Sequence, residues 1–161
     1  MAIEKRVRTL DYIDRQILRQ LQQDGRISNV ELARSVNLSP TPCLERVRRL
    51  EADGYIRGYV ALLDPAKLNH GLLSFVQVSL DRTTEDVFER FKERVTRFPE
   101  VLECHMVAGG FDYLIKVRIA SMAAYREFLG DRLASIPGIS QTHTYVVMEE
   151  VKATHEISIA D

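Results

Sequence analysis

Apolar positions in the first sixty residues recur at helical spacing in three short runs. Ile13, Ile17, Leu18 and Leu21 form the first stripe. Asp11 opens it with a carboxylate suited to an N-cap, Asp14 adds negative charge to the first turn, and Gly25 stops it. Val30, Leu32, Ala33 and Val36 form the second, opened by Ser28 with Glu31 three residues on, the spacing of a capping box. Asn37-Leu38 makes the turn. The third run takes Ser39 as N-cap and Pro40 at the first helical position, where a missing N–H costs nothing, with Pro42 in the same turn. Leu44, Val47 and Leu50 recur every third residue and predict the buried side of this helix; Gly54 closes it. Tyr55-Ile56 and Tyr59-Val60-Ala61, around Gly58, read as the two short strands of a hairpin wing. Asp64-Pro65 then breaks the pattern.

Beyond that break the period changes. Val76, Val78 and Leu80 alternate within a half-buried strand. Thr84 caps a helix carrying Val87, Phe88, Phe91, Val95 and Phe98, ended by Pro99. Residues 101–108 read as a strand, Gly109-Gly110 as a turn, and Tyr113, Ile115, Val117 and Ile119 as a third strand. Ser121 caps a helix with Met122, Tyr125, Phe128, Leu129, Leu133 and Ile136; Pro137-Gly138 turns the chain into a last strand over 139–151. The order β-α-β-β-α-β predicts a ferredoxin-like antiparallel sheet with both helices on one face. The fold class is therefore α+β: a winged helix-turn-helix over 1–63, a linker over 64–71, and a ferredoxin-like domain over 72–161. Phe75, Met106, Leu114, Val146 and Met148 are assigned to the second sheet face, which is then too apolar to be solvated, so a second copy is expected to cover it.

Composition narrows the class. The chain is 45% hydrophobic and 28% charged, with no apolar run able to span a membrane. The opening MAIEKRVRTLDYID lacks the apolar core of a leader, so a cytoplasmic protein is expected. The net charge of −1 is unevenly placed: residues 1–63 hold 11 Lys+Arg against 8 Asp+Glu, and the remainder 11 against 15. A mildly basic first part on an acidic remainder suggests that only the first part meets a polyanion.

With Leu44, Val47 and Leu50 inward, the third helix turns Pro42, Cys43, Arg46 and Arg49 outward. Ser39 and Thr41 stand at its positive end, Arg48 is placed for a phosphate, and Arg57 lies on the wing. Arginine grips guanine edges or phosphates bidentately, so these residues are the candidate DNA contacts; a solvated helix with ordinary surface arginines is the competing reading. In the GGFDY loop, Gly109 and Gly110 offer backbone N–H groups to a carboxylate and Asp112 a partner for an ammonium, which together would hold a free amino acid. On these residues alone, a plain glycine hairpin with Asp112 as a turn residue is the simpler reading. Cys43 and Cys104 are read as reduced thiols. The scattered His70, His105, His143 and His155 make no metal site, although His105 and His143 lie in expected strands that can bring them together across the sheet. No catalytic motif is present, so an enzyme is not expected.

The stretches DGRISNVELA, LSPTPCLERVRRLE, ECHMVAGGFDYLIK and TYVVMEEVK resemble the Lrp/AsnC (feast/famine) transcriptional regulators, over about Leu10 to Lys152. The resemblance implies a winged helix-turn-helix joined to an amino-acid-sensing domain. It implies dimers formed through the sensing sheets, further assembly often to octamers, and an amino acid bound between dimers near the glycine loop. It carries the effector role onto Met106, Gly109, Gly110 and Asp112, and onto Met122, Thr144 and Val146. The family loop often has an Asp where this chain has Gly110, which leaves the effector's identity open. The expectation is a sequence-specific regulator of amino-acid metabolism, binding double-stranded DNA and modulated by a small amino acid such as leucine, cytoplasmic and nucleoid-associated, with no other cofactor. Two alternatives share the architecture: a tetrapyrrole (siroheme) decarboxylase-like subunit and an adaptor that binds protein instead of DNA.

Overall fold

A computed structural model of the protein describes residues 9–160. Residues 1–8, most of the opening stretch read as lacking a leader, lie outside the described residues. The chain forms two compact units: one runs to Leu62 and takes in the residues from Lys152 onward, and the other spans Leu63–Val151.

In the first unit, α1 (Tyr12–Gln23), α2 (Asn29–Ser35) and α3 (Pro40–Ala52) pack around Ile17, Leu32, Ala33, Val36, Cys43 and Leu50. The sequence signals at the starts of α1 and α2 are realised as hydrogen bonds, whereas Ser39 stands at the start of α3 without a side-chain cap bond. Asp11 Oδ1 accepts the Asp14 amide at 2.8 Å, and Ser28 and Glu31 form the reciprocal capping box. Asn37, with φ 56°, ends α2: the Leu38 amide reaches back to the Ala33 carbonyl at 2.8 Å. Gly54, with φ 80°, ends α3 the same way, through Tyr55 N to Leu50 O at 2.9 Å. Both are left-handed caps that satisfy carbonyls the helix leaves open.

Two expectations fail here. The wing strands at Tyr55-Ile56 and Tyr59-Val60-Ala61 do not form; the segment is irregular, with Tyr59, Val60, Leu62 and Leu63 exposed. Strands of two or three residues need a pairing partner; Tyr55 and Ile56 pack against the helical core instead, and the Tyr59 hydroxyl donates to Glu51 at 3.1 Å. The last residues, expected to continue the sensing domain, instead return to α1. The Gln22 amide brackets Ile157, donating to its carbonyl at 3.1 Å and accepting its N–H at 2.6 Å, and Arg19 donates to the Ile159 carbonyl at 2.7 Å.

In the second unit, β1 (Leu72–Leu80), α4 (Glu85–Val95), β2 (Val101–Met106), β3 (Tyr113–Ile119), α5 (Met122–Glu127, continuing as a π-helical turn over Phe128–Leu133) and β4 (Ile139–Val146) follow the expected β-α-β-β-α-β order. The four-stranded antiparallel sheet has the order β2-β3-β1-β4. Val76, Val78 and Leu80 of β1 and the odd positions of β3 from Tyr113 to Ile119 meet Val87, Phe91 and Val95 of α4 and Tyr125, Phe128, Leu133 and Ile136. The period-2 rule that put these residues on one face is confirmed.

The opposite face differs from expectation. Phe75 and Leu114 do lie on it, but register pairs Met106 with Tyr113 and Val146 with Ser74, so Met106 and Val146 belong to the helix side. Met148 lies beyond β4. The far face holds Phe75, Leu114 and Tyr145 among polar neighbours. There Glu103 pairs with Lys116 at 2.9 Å and Arg118 with Glu150 at 3.0 Å.

Candidate nucleic-acid interface and effector region

The exposed surface of α3 is not the one that the three-residue spacing predicts. Cys43 is fully buried and Leu44 is exposed. A helix turns by about 100° per residue, so Cys43, Val47 and Leu50 share a narrower arc than Leu44, Val47 and Leu50. A free cysteine also packs as readily as a small hydrophobe. Burial pushes the Cys43 thiol pKa up. Cys43 is therefore a core residue and not a DNA contact.

The rotation carries Arg46 and Arg49 toward α1. Asp14, only 3% exposed, receives both guanidinium groups: Arg46 Nη1 at 2.8 Å from Oδ1, and Arg49 Nη2 at 2.8 Å from Oδ1 and 3.0 Å from Oδ2. Arg46 Nη1 also reaches Asp11 Oδ2 at 2.6 Å. Partial desolvation raises the Asp11 pKa, but hydrogen bonds from Arg46 and the Asp14 amide outweigh it and hold the carboxyl below its ordinary value. Hydrogen bonds to the Asp11 and Asp14 carboxylates push the Arg46 pKa up. The expectation that Arg46 and Arg49 are free to enter a duplex is corrected: they neutralise a buried carboxylate and fasten α3 to α1.

What α3 presents instead is Ser39, Thr41, Leu44, Glu45 and Arg48, all exposed, with Pro42 half-buried. Thr41, Leu44, Glu45 and Arg48 fall at i, i+3, i+4 and i+7, which is one helical stripe. Leu44 and Glu45 belong to this stripe by the same spacing, although the three-residue apolar pattern points Leu44 inward. Asn29 Nδ2 donates to the Pro40 carbonyl at 2.8 Å and sets the angle between α2 and the start of α3. Arg57 is exposed beyond the helix.

The candidate effector residues do not converge within one chain. Met106, Gly109, Gly110 and Asp112 lie at the β2–β3 end of the sheet. Met122 and Val146 lie at the other end, with Thr144 on the same strand as Val146. Met106 is on edge strand β2 and Val146 on the opposite edge strand β4. At about 4.8 Å per strand and 3.4 Å per residue, the two are of order 20 Å apart. Met106, Met122 and Val146 are each exposed, and Thr144 Oγ1 hydrogen-bonds the buried Tyr125 hydroxyl at 2.6 Å. Asp112 is committed in part: its Oδ2 accepts the Leu80 amide at 2.7 Å, while its own amide donates to Val78 at 3.0 Å. That secures the end of β1, next to the register shift at Ser79/Leu80. Gly109 and Gly110 are exposed, have space for a side chain and lack left-handed φ, so the backbone does not require glycine at either.

His105 and His143 do not meet; Leu114 and Gln77 stand between them on the same row of the sheet. His105 instead lies 3.2 Å from Glu103, whose pKa the hydrogen bonds from Lys116 and His105 lower. Among the described residues, no group of His, Cys, Asp or Glu is arranged to hold a metal ion. No helix among them is long and apolar enough to cross a membrane.

Comparison with known proteins adds to this geometry. Residues 10–57 match the winged helix-turn-helix DNA-binding family, and residues 73–157 match the Lrp/AsnC ligand binding domain. The leucine-responsive regulatory protein of Escherichia coli K12 is 57% identical over 150 residues, 93% of this chain and 92% of that protein. A transcriptional regulator of Neisseria meningitidis, solved in complex with L-methionine, is 41% identical. It superposes with a TM-score of 0.90 over 93% of this chain and 97% of its own. An AsnC family transcriptional regulator of Agrobacterium tumefaciens is 40% identical, with a TM-score of 0.88 over 92% and 97% of the two chains.

Proposed function

The chain belongs to the Lrp/AsnC family and is a DNA-binding transcriptional regulator; from that premise we propose how it meets DNA and effector. Its relatives are regulators and not enzymes, so the decarboxylase alternative is not favoured. The operator is bound through the outer stripe of α3, with Ser39, Thr41 and Arg48 in the groove and Arg57 on the adjoining backbone. The observation that carries this is the sorting of arginines on α3: Arg46 and Arg49 are tied to Asp14 in ion pairs, while Arg48 is exposed.

Full-length Arg48→Ala is expected to weaken operator binding roughly 5- to 100-fold at fixed salt if the side chain holds a base, and to flatten the salt slope if it holds a phosphate. Its melting temperature should stay at the wild-type value. Fluorescence anisotropy on an operator duplex across a salt series reads both. Unchanged affinity and unchanged slope would remove Arg48 from the interface. Binding with no salt dependence at all would favour the adaptor.

The effector is a small amino acid such as leucine, bound where two copies meet. The support is the separation of the two residue groups: the β2–β3 loop of one copy has to meet the α5/β4 end of another before one ligand touches both. Copies pair through the far sheet face and assemble further, toward an octamer. The ligand then acts by changing how many α3 helices are presented together, so avidity shifts while the helix itself is unaltered. The methionine complex of the Neisseria relative makes methionine a second candidate. Analytical ultracentrifugation with and without leucine or methionine should reveal a change in assembly size. The coupling fails if neither amino acid, nor any other of the twenty, changes size or DNA cooperativity.

A further inference from the structure

We propose that Glu45 selects a cytosine in each operator half-site, making it the specificity-determining residue of α3. The inference rests on the reading of α3 as the groove-entering helix and extends it to base chemistry. Glu45 lies in the exposed stripe beside Leu44, with Thr41 one turn before it and Arg48 nearly one turn after. Among the described residues it makes no hydrogen bond or ion pair, so its carboxylate is available without breaking a contact. This sets it apart from the acids on the other side of the helix, where Asp11 and Asp14 are both held by arginine.

A free carboxylate on a helix that approaches a polyanion is repelled by every phosphate, so it weakens binding to DNA of any sequence. In the major groove, only exocyclic amines offset that repulsion by donating to it. The cytosine edge presents the N4 amine without an adjoining acceptor. The adenine edge presents N6 beside the N7 acceptor, which repels a second carboxylate oxygen. Cytosine is therefore the base an ionised Glu45 favours. The same repulsion penalises guanine, whose groove edge carries only the O6 and N7 acceptors. Glu45 thus contributes discrimination more than affinity: it accepts one base and taxes the rest of the sequence space.

The test is selection of binding sites from a randomised duplex pool with the full-length chain, followed by anisotropy titrations on single-base-pair variants. Wild type is expected to prefer cytosine at one position per half-site by roughly 10-fold or more. Glu45→Ala should erase the preference at that position alone and bind unselected DNA more tightly than wild type. Glu45→Gln should move the preference to adenine, because a carboxamide donates to N7 while accepting from N6. Both variants should melt with wild type, since Glu45 is exposed and unpaired. Identical base preferences for wild type and Glu45→Ala, or a loss of affinity spread evenly over all sequences, would overturn the proposal while leaving α3 as the DNA-binding helix. A wild-type chain that selects no duplex would overturn both.

Discussion

Asp14→Ala is expected to melt the helix-turn-helix unit well before the sensing unit, at a cost of about 3–5 kcal/mol, the range for removing one partner of a buried ion pair. The carboxylate accepts three N–H bonds from two guanidinium groups while sitting 3% exposed. Without it, Arg46 keeps Asp11, but Arg49 loses its only carboxylate contact among the described residues, and the two cations face each other across the α1–α3 seam. Both arginine side chains retain a quarter to a third of their exposure and can turn toward water, which places the expected loss toward the lower end of the range. Asp14→Asn keeps the shape but offers a single acceptor oxygen, so it should fall between wild type and alanine. Urea unfolding followed by circular dichroism reads the transition of this unit. An Asp14→Ala midpoint equal to wild type would mean that the ion cluster contributes nothing to holding α3.

This expectation changes how an alanine scan of α3 should be read. Arg46→Ala and Arg49→Ala should also lose operator binding, yet for a reason unrelated to bases or phosphates: a smaller fraction of the chain holds α3 in place. Arg48→Ala separates the two causes, because its loss of binding comes with an unchanged melting curve.

Gly138→Ala is the second large effect, at about 2–3 kcal/mol. Gly138 has φ +96°, where an L side chain is strained, and an added Cβ would lie 2.9 Å from Val87 Cγ1, in the buried core under α4. The turn cannot simply relax away, because the Gly138 carbonyl accepts the Asp81 amide at 2.8 Å and fixes where β4 starts against β1. The cost should appear as an earlier sensing-unit transition in thermal unfolding. Since β4 also carries Thr144 and Val146, a weaker ligand-induced change in assembly size should accompany it. A variant as stable as wild type would show that β4 tolerates a shift in its entry.

Most of the local cap signals in the chain held, although Ser39 and Thr84 take the N-cap position without a side-chain bond and the wing hairpin around Gly58 does not form. Asp11, Ser28 with Glu31, Asn37 and Gly54 act within a few residues of themselves, and each forms the cap its type and spacing imply. The β-α-β-β-α-β order was equally legible, because alternation and helical periodicity are properties of single segments. What the chain concealed was pairing at long range. Asp14 reads as a dipole-matching acid in a first turn, yet its real partners lie 32 and 35 residues on. The phase of α3 turned on whether Cys43 or Leu44 was the apolar residue, and hydrophobicity alone favours the wrong one. Met106 and Val146 were assigned to the wrong sheet face because alternation gives two faces without saying which is which; only register against Tyr113 and Ser74 decides. Gly109, Gly110 and Asp112 were legible as a candidate carboxylate and ammonium site, whereas Met106, Met122, Thr144 and Val146 came from resemblance, and one copy of the chain separates the set into two groups.

Both ends of the described chain belong to the helix-turn-helix unit, so the ligand-binding domain is, topologically, an insertion within it. Its entry and exit lie side by side, since Ser74, near the start of β1, pairs with Val146 at the end of β4. The chain therefore passes between the units twice, once through the irregular segment after Ile56 and once before Lys152. A backbone cut in the first passage would leave the three helices held to the rest of the chain through the grip of Gln22 and Arg19 on the tail.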